Sequence, residues 1–306
     1  MATSIPFLSP GDTVGICAPA KAIEESLVNE AVSFLKSNGF NSFITPNCCG
    51  RHNYFSGTIA ERLSDFQLLL DNPEIKAIWC ARGGYGTVQI MDLLNWAYFI
   101  RSPKWILGFS DITFIHGKLN RLGYPSVHCT MPLNIPSNSG EAKSTLLDSI
   151  QGKSYEIKTF SDPNNRTGSA EAEIIGGNLS ILQALVGTDD QPNFHNKILY
   201  IEDLCEHLYS IDRMMQSLRK SGALSVISGL IVGGMTELKD TSPGFGMGVE
   251  SLILEYFQYR NIPVAFNFPA GHIDDNNAIV FGRKAFFEVS KDDVCLSFYL
   301  GYLDRV

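Results

Sequence analysis

Short apolar runs alternate with amphipathic stretches through the first half of the chain. Thr13 to Ala18 is an apolar run closed by Pro19, and Ile23 to Leu35 carries apolar residues at helical spacing until Asn38-Gly39 stops it. Ser42 to Thr45 reads as a strand. Thr58 to Leu70 reads as a helix whose Thr58 and Glu61 have the spacing of a reciprocal N-terminal cap. Ile75 to Cys80 is a buried strand, Trp105 to Phe109 is another, Ile112 to Leu122 is the helix that follows it, and Ser126 to Cys129 is the next strand. Repeated strand–helix units of this length predict a parallel sheet covered on both faces.

The pattern breaks between Pro132 and Gly168, where Pro, Asn, Ser and Gly accumulate around a single helix, Glu141 to Ile150. We therefore expect a first domain over 1–150, a linker over 151–168 and a second domain over 169–306. The second domain shows strands at Ile198 to Ile201, Val226 to Val232, Val264 to Asn267, Ile279 to Phe281 and Val294 to Phe298. Helices Leu179 to Val186 and Ile211 to Lys220 lie between them. The closely spaced strands around Gly282-Arg283-Lys284 predict a mixed, β-rich sheet. No internal repeat or low-complexity tract is present.

Composition narrows the function. With 24 basic against 32 acidic residues, a net charge of −8 and no Lys/Arg run, the chain is not expected to bind nucleic acid. At 44% hydrophobic residues it is long and apolar enough to bury a core without staples. No apolar stretch reaches the ~20 residues of a membrane helix. The segment Met1 to Leu8 has neither a basic start nor a long apolar run, so no export signal is expected. Seven scattered cysteines, with no C-x-x-C spacing, suggest reduced thiols in a cytoplasmic protein rather than disulfides or a zinc site.

Four features carry candidate chemistry. Ser110 follows a strand and precedes a helix, where a hydroxyl projects above the sheet and helix N–H groups face developing negative charge. The position resembles a nucleophile elbow, although Ile112 stands where that motif has glycine, and Ser110 or Asp111 could instead simply cap the helix. Arg82-Gly83-Gly84-Tyr85-Gly86 follows the strand ending at Cys80. It completes neither a dinucleotide fingerprint nor a Walker loop, which leaves a backbone-donor loop or a plain tight turn. Glu202 ends an apolar strand, with Asp203, Glu206 and Asp212 as competing acids. His272 sits on the Gly/Pro loop Phe268 to His272, where the alternative is a solvated bystander. No H-x-x-x-H pair occurs, so no metal is expected. Together, a serine, an acid and a histidine that each follow a strand form the set that acyl transfer needs, with the site in a cleft between domains.

At these residues the chain resembles the LD-carboxypeptidase family of serine peptidases, which includes muramoyltetrapeptide carboxypeptidases and microcin-immunity hydrolases. The resemblance runs through Gly11 to Gly15 with Ala18-Pro19, Arg82 to Gly86, Gly108 to Thr113, Gly176 to Ser180, Ile201 to Asp203 with Tyr209 to Arg213, and Pro269 to His272. It implies Ser110 as nucleophile, Glu202 as acid and His272 as base. It also implies oxyanion donors at the N–H groups of Asp111 and Gly84, and no cofactor. Arg82 and Tyr85 become candidates for substrate binding. The implied fold is a flavodoxin-like parallel-sheet domain followed by a β-rich swivelling α/β domain, as a homodimer. The implied activity is release of a terminal D-amino acid, typically D-Ala, from murein-derived peptides in cytoplasmic peptidoglycan recycling. A microcin-immunity-like hydrolase of aminoacyl-nucleotide peptides and a non-catalytic muropeptide-binding protein are the alternatives. Phe109 stands where the family commonly has tyrosine, and Asn267 where it commonly has glycine.

Overall fold

The computed structural model describes residues 5–300, so the first four residues of the N-terminal segment and the end of the second domain lie outside the described residues. The first half contains β1 (Thr13–Cys17), α1 (Glu25–Ser37), β2 (Asn41–Ile44), α2 (Ile59–Asp71), β3 (Ile75–Cys80), the short α3 (Val88–Met91) and α4 (Ala97–Arg101), β4 (Trp105–Leu107), α5 (Thr113–Leu122) and β5 (Ser126–His128). There follow α6 (Gly140–Gln151), β6 (Tyr155–Phe160), β7 (Gly168–Asn178), α7 (Leu179–Leu185), β8 (Ile198–Leu204), α8 (Leu208–Lys220), α9 (Ala223–Val226) and β9 (Gly229–Thr236). The chain closes with α10 (Val249–Glu255), β10 (Val264–Ala265), β11 (Ile279–Phe281), β12 (Lys284–Val289) and β13 (Asp293–Phe298).

Local chemistry explains the helices. In α1, Val28, Ala31 and Leu35 share one buried stripe, and the helix ends where the Asn38 N–H turns back to the Leu35 and Lys36 carbonyls. In α2 the reciprocal cap forms: the Glu61 N–H donates to the Thr58 hydroxyl at 3.3 Å and the Thr58 N–H to the Glu61 carboxylate at 2.8 Å. At the other end of α2, the buried ammonium of Lys104 donates to the carbonyls of Leu69 (2.8 Å) and Asn72 (2.6 Å). It thereby satisfies carbonyls that the helix itself leaves free.

The first sheet runs β11-β5-β4-β3-β1-β2. Its strands β2-β1-β3-β4-β5 are parallel, in the 2-1-3-4-5 order of flavodoxin-like folds. The second sheet runs β10-β9-β8-β7-β12-β13-β6, with its first four strands parallel and the rest antiparallel. The architecture is thus a mixed α/β fold of two sheets.

Sheet membership departs from the expected boundaries. The segment 151–168 contains β6, the outer strand of the second sheet, instead of being only a linker. Its residues alternate, with Tyr155, Ile157 and Thr159 on the inner side and Glu156, Lys158 and Phe160 exposed, but only Ile157 is fully buried, so the apolar contrast along it is weak. β11, from the second half, returns to the first sheet and pairs antiparallel with β5. Val226 ends a short helix instead of starting a strand, and the ladder of β10 stops at Ala265.

The core follows this interleaving. One apolar cluster joins the first sheet to a face of the second through Ile174, Tyr200, Ile231, Phe268 and Phe287. A second cluster, including Leu182, Met215 and Phe257, fills the space under α7, α8 and α10.

Candidate active site

Ser110 sits where β4 gives way to a 3-10 turn, Ser110–Ile112, that leads into α5. Its φ is +63°, a conformation that side chains other than glycine rarely adopt. Such a sharp turn lifts a side chain above the end of a strand. Behind it, the buried His116 anchors the strand end. Its Nε2 lies 2.9 Å from the Gly108 carbonyl and must donate, so Nδ1 accepts from the Ser126 hydroxyl at 2.8 Å. Burial pushes this imidazole down to about 4, which keeps it neutral.

The glycine loop is tied to the same turn. The Asp111 carboxylate accepts from the Thr87 N–H at 2.8 Å. Burial pushes this carboxyl up, against the Thr87 hydrogen bonds and the Arg62 charge that pull it down. The buried Arg62 donates to the carbonyls of Gly57 (3.1 Å), Pro19 (2.8 Å) and Gly86 (2.9 Å), and to Gln89 (2.6 Å). Gly83 lies against Ser110: a Cβ there would meet the Ser110 Cβ at 2.9 Å and Oγ at 3.0 Å. Gly84 has φ +103°. Among the described residues, neither the Asp111 N–H nor the Gly84 N–H donates to any protein acceptor.

Glu202 and His272 come together from the second sheet. Glu202, on β8 opposite Asn178 of β7, is fully buried, and its Oε2 lies 2.5 Å from His272 Nδ1. The Gly271 N–H donates to Asn276 at 2.7 Å, and Asn138 from the first half donates to the carbonyls of Ile273 (3.2 Å) and Asp274 (2.8 Å), which fixes the loop on both sides of the histidine. Burial lowers the affinity of His272 for a proton, but the Glu202 charge and hydrogen bond, helped by Asp203, outweigh it and raise the pKa above the ordinary histidine value.

Two of the competing acids have other partners. Asp203 accepts from Asn178 (3.0 Å), the Ser180 N–H (2.9 Å) and the Leu204 N–H (2.9 Å), capping the start of α7. Burial and the Glu202 charge push it up to about 6. Asp212 accepts from the Tyr256 hydroxyl.

A cleft of about 260 Å³ is lined by Ser110, His272, Arg82, Gly83 and Gly84, together with Lys21, Tyr54, Phe109 and Leu204. Ser110 and His272 thus share one cavity, and the Phe109 and His272 rings lie 4.8 Å apart. No hydrogen bond joins the Ser110 hydroxyl to the imidazole; such contacts are commonly loose before substrate binds. Tyr85 does not line the cleft; its exposed ring packs near Phe55 at 6.3 Å. Lys21 and Tyr54 were not singled out from the sequence. The available signal was the place of Lys21 just past the carboxyl end of β1, where open α/β sheets bind ligands. Among the described residues, no group of three or more His, Cys, Asp or Glu is gathered closely enough to hold a metal ion.

A serine at a strained strand–helix turn, with a carboxylate-bound imidazole across the same cleft, defines a hydrolase-type site. Residues 14–129 match the LD-carboxypeptidase N-terminal domain and residues 171–286 the LD-carboxypeptidase C-terminal domain. A Synechocystis sp. protein carrying the carboxypeptidase name is 31% identical over 292 residues, covering 95% of each chain. The murein tetrapeptide carboxypeptidase of Pseudomonas aeruginosa is 28% identical, covering 90% of this chain and 92% of its own. The microcin C7 self-immunity protein MccF of Escherichia coli is 26% identical, covering 95% and 94%. The crystal structure of muramoyltetrapeptide carboxypeptidase from Oxalobacter formigenes superposes with a TM-score of 0.84 at 27% identity, over 93% of this chain and 98% of that one. The chain therefore belongs to the LD-carboxypeptidase family.

Proposed function

We propose that this protein is a serine-type L,D-carboxypeptidase that releases the terminal D-amino acid, D-Ala in the simplest case, from murein-derived tetrapeptides. The observation that carries the reading is the buried Glu202 carboxylate held 2.5 Å from His272 Nδ1, in an imidazole that shares a cleft with the strained Ser110. Glu202 fixes the tautomer in which Nε2 is free to accept a proton. His272 takes the Ser110 proton as the hydroxyl attacks the scissile carbonyl. The Asp111 and Gly84 N–H groups, with no other acceptor, bind the oxyanion. His272 then protonates the leaving amine, and water repeats the cycle on the acyl-enzyme. The names of the Pseudomonas and Oxalobacter relatives support the murein substrate. The same reading assigns the protein to the cytosol and to a homodimer; its seven unpaired cysteines, four of them fully buried, fit a reducing compartment.

Mass-spectrometric digestion of defined tetrapeptides tests the proposal. Wild-type protein should release the fourth residue, and a folded Ser110→Ala variant should lose on the order of 10³-fold or more of that rate. Turnover like wild type in the variant would remove the nucleophile. The MccF relationship favours one second reading, hydrolysis of aminoacyl-nucleotide peptides. Release of a nucleotide amine in preference to D-Ala would select it.

A further inference from the structure

We infer that Lys21 and Arg82 form an anion subsite that takes the free carboxylate of the residue to be released, and so restrict the enzyme to chain ends. This rests on the carboxypeptidase reading and specifies how its substrate is recognised.

The position is the first argument. In the order β2-β1-β3-β4-β5 the strands are added to one side of β1 and then to the other, so the order reverses between β1 and β3, and ligands of such sheets bind in the crevice beyond the carboxyl ends of those two strands. Lys21 lies just past β1 and Arg82 just past β3, and both line the cleft that holds Ser110.

Charge is the second. The chain has 32 acidic residues against 24 basic, yet no carboxylate lines this cleft; its two fixed charges are Lys21 and Arg82. Among the described residues neither side chain forms an ion pair. The Lys21 ammonium rests 4.9 Å from the centre of the Tyr54 ring. Arg82 spends one N–H on the Ala22 carbonyl at 3.0 Å, which steadies the guanidinium and leaves its remaining donors open. Two steadied, unpaired cations in a cleft of an acidic protein are complementary to an anionic ligand.

Spacing is the third. A Cβ on Gly83 would touch Ser110, whereas one on Gly84 would lie 2.8 Å from the Tyr54 hydroxyl and 3.0 Å from Lys21 Cβ. One residue step of the loop, about 3.8 Å between α-carbons, therefore leads from the nucleophile to the stem of the Lys21 side chain. The carboxylate of a leaving amino acid is separated from the attacked carbonyl by a single residue as well. A peptide continuing beyond that residue, or ending in an amide, would bring no charge to this place.

Binding in the Ser110→Ala background reads the subsite without turnover. Calorimetry compares a tetrapeptide ending in free D-Ala with its C-terminal amide, in parent, Lys21→Met, Arg82→Gln and doubly substituted proteins checked for folding by circular dichroism. The free acid should bind about 10- to 100-fold tighter than the amide, as expected for charge-assisted hydrogen bonds. Each substitution should shrink that ratio, the double variant should bring it near one, and Arg82→Lys should retain part of it. With Ser110 restored, Lys21→Met should raise KM for the acid far more than it lowers kcat. Equal affinity for acid and amide in the parent, or a ratio that survives the double variant, would overturn the subsite. A ratio that behaves as expected in a wild type that hydrolyses no tetrapeptide would leave the subsite standing and remove the peptidase reading.

Discussion

The φ of +63° at Ser110 costs backbone energy, on the order of 1–3 kcal/mol, that surrounding contacts must supply. His116 does so from below through Gly108, and Asp111 does so from the side through Thr87. The partner across the cleft is tuned by a carboxylate. Because the Glu202 charge raises the His272 pKa and the base must be neutral to act, kcat/KM should climb with pH through a value above the ordinary histidine pKa. Glu202→Gln removes the charge but keeps the shape. It should lower kcat by about 10⁴-fold and move the acid limb of the profile to lower pH, since burial then acts on the imidazole against Asp203 alone. A pH–rate profile of both proteins checks the direction; an acid limb unmoved by the substitution would contradict the pairing. Ser110 and His272 stood out in the sequence because each follows an apolar strand, whereas Glu202 was one of four competing acids until the family resemblance selected it. Lys21 did not stand out, because only strand order shows that the end of β1 faces the end of β3.

At the scale of elements, the site is made of loops held from outside. The His272 loop is gripped by Asn138, which stands before α6 and donates to two carbonyls just after the histidine. Asn138→Ala would take one donor from the half-buried Ile273 carbonyl and leave the Asp274 carbonyl with the Ser139 N–H alone, costing about 0.5–1.5 kcal/mol. We expect a lower thermal midpoint together with a reduced kcat, because the imidazole loses its register; calorimetry and steady-state kinetics check both. Unchanged kcat at a lowered midpoint would confine Asn138 to stability. The periodic helices and the buried strands β1, β3 and β8 were legible from their patterns. β6 and the start of β7 were not, since in half-exposed strands rich in small or charged residues the alternation carries little apolar contrast; their pairing partners β13 and β12 lie more than a hundred residues away.

At the scale of the molecule, Ser110 and His272 sit past strands of different sheets, so the seating of one sheet on the other sets how they face each other. Gly177, with φ +138°, lies directly against α5: a Cβ would fall 2.4 Å from Thr113 Oγ1, which accepts the Asn178 N–H at 3.0 Å. Gly177→Ala would therefore strain the backbone and wedge the sheets apart, at a cost of about 1–3 kcal/mol from overpacking alone. Denaturant unfolding should show the loss, and activity should fall with it. Adding Thr113→Ala should recover part of the stability if the clash is the cause, and a strictly additive double variant would exclude that contact as the origin.

The sequence by itself determined the strand–helix alternation and the capping of α2, and it set a serine and a histidine just past strand ends, because these depend on neighbours a few residues away. Which of four acids meets the imidazole, the return of β11 to the first sheet, and the gathering of Lys21 and Arg82 beside Ser110 were decided only by the tertiary structure. Those outcomes depend on which strand ends become neighbours in space, and the pairing of distant strands leaves no local trace in the order of residues.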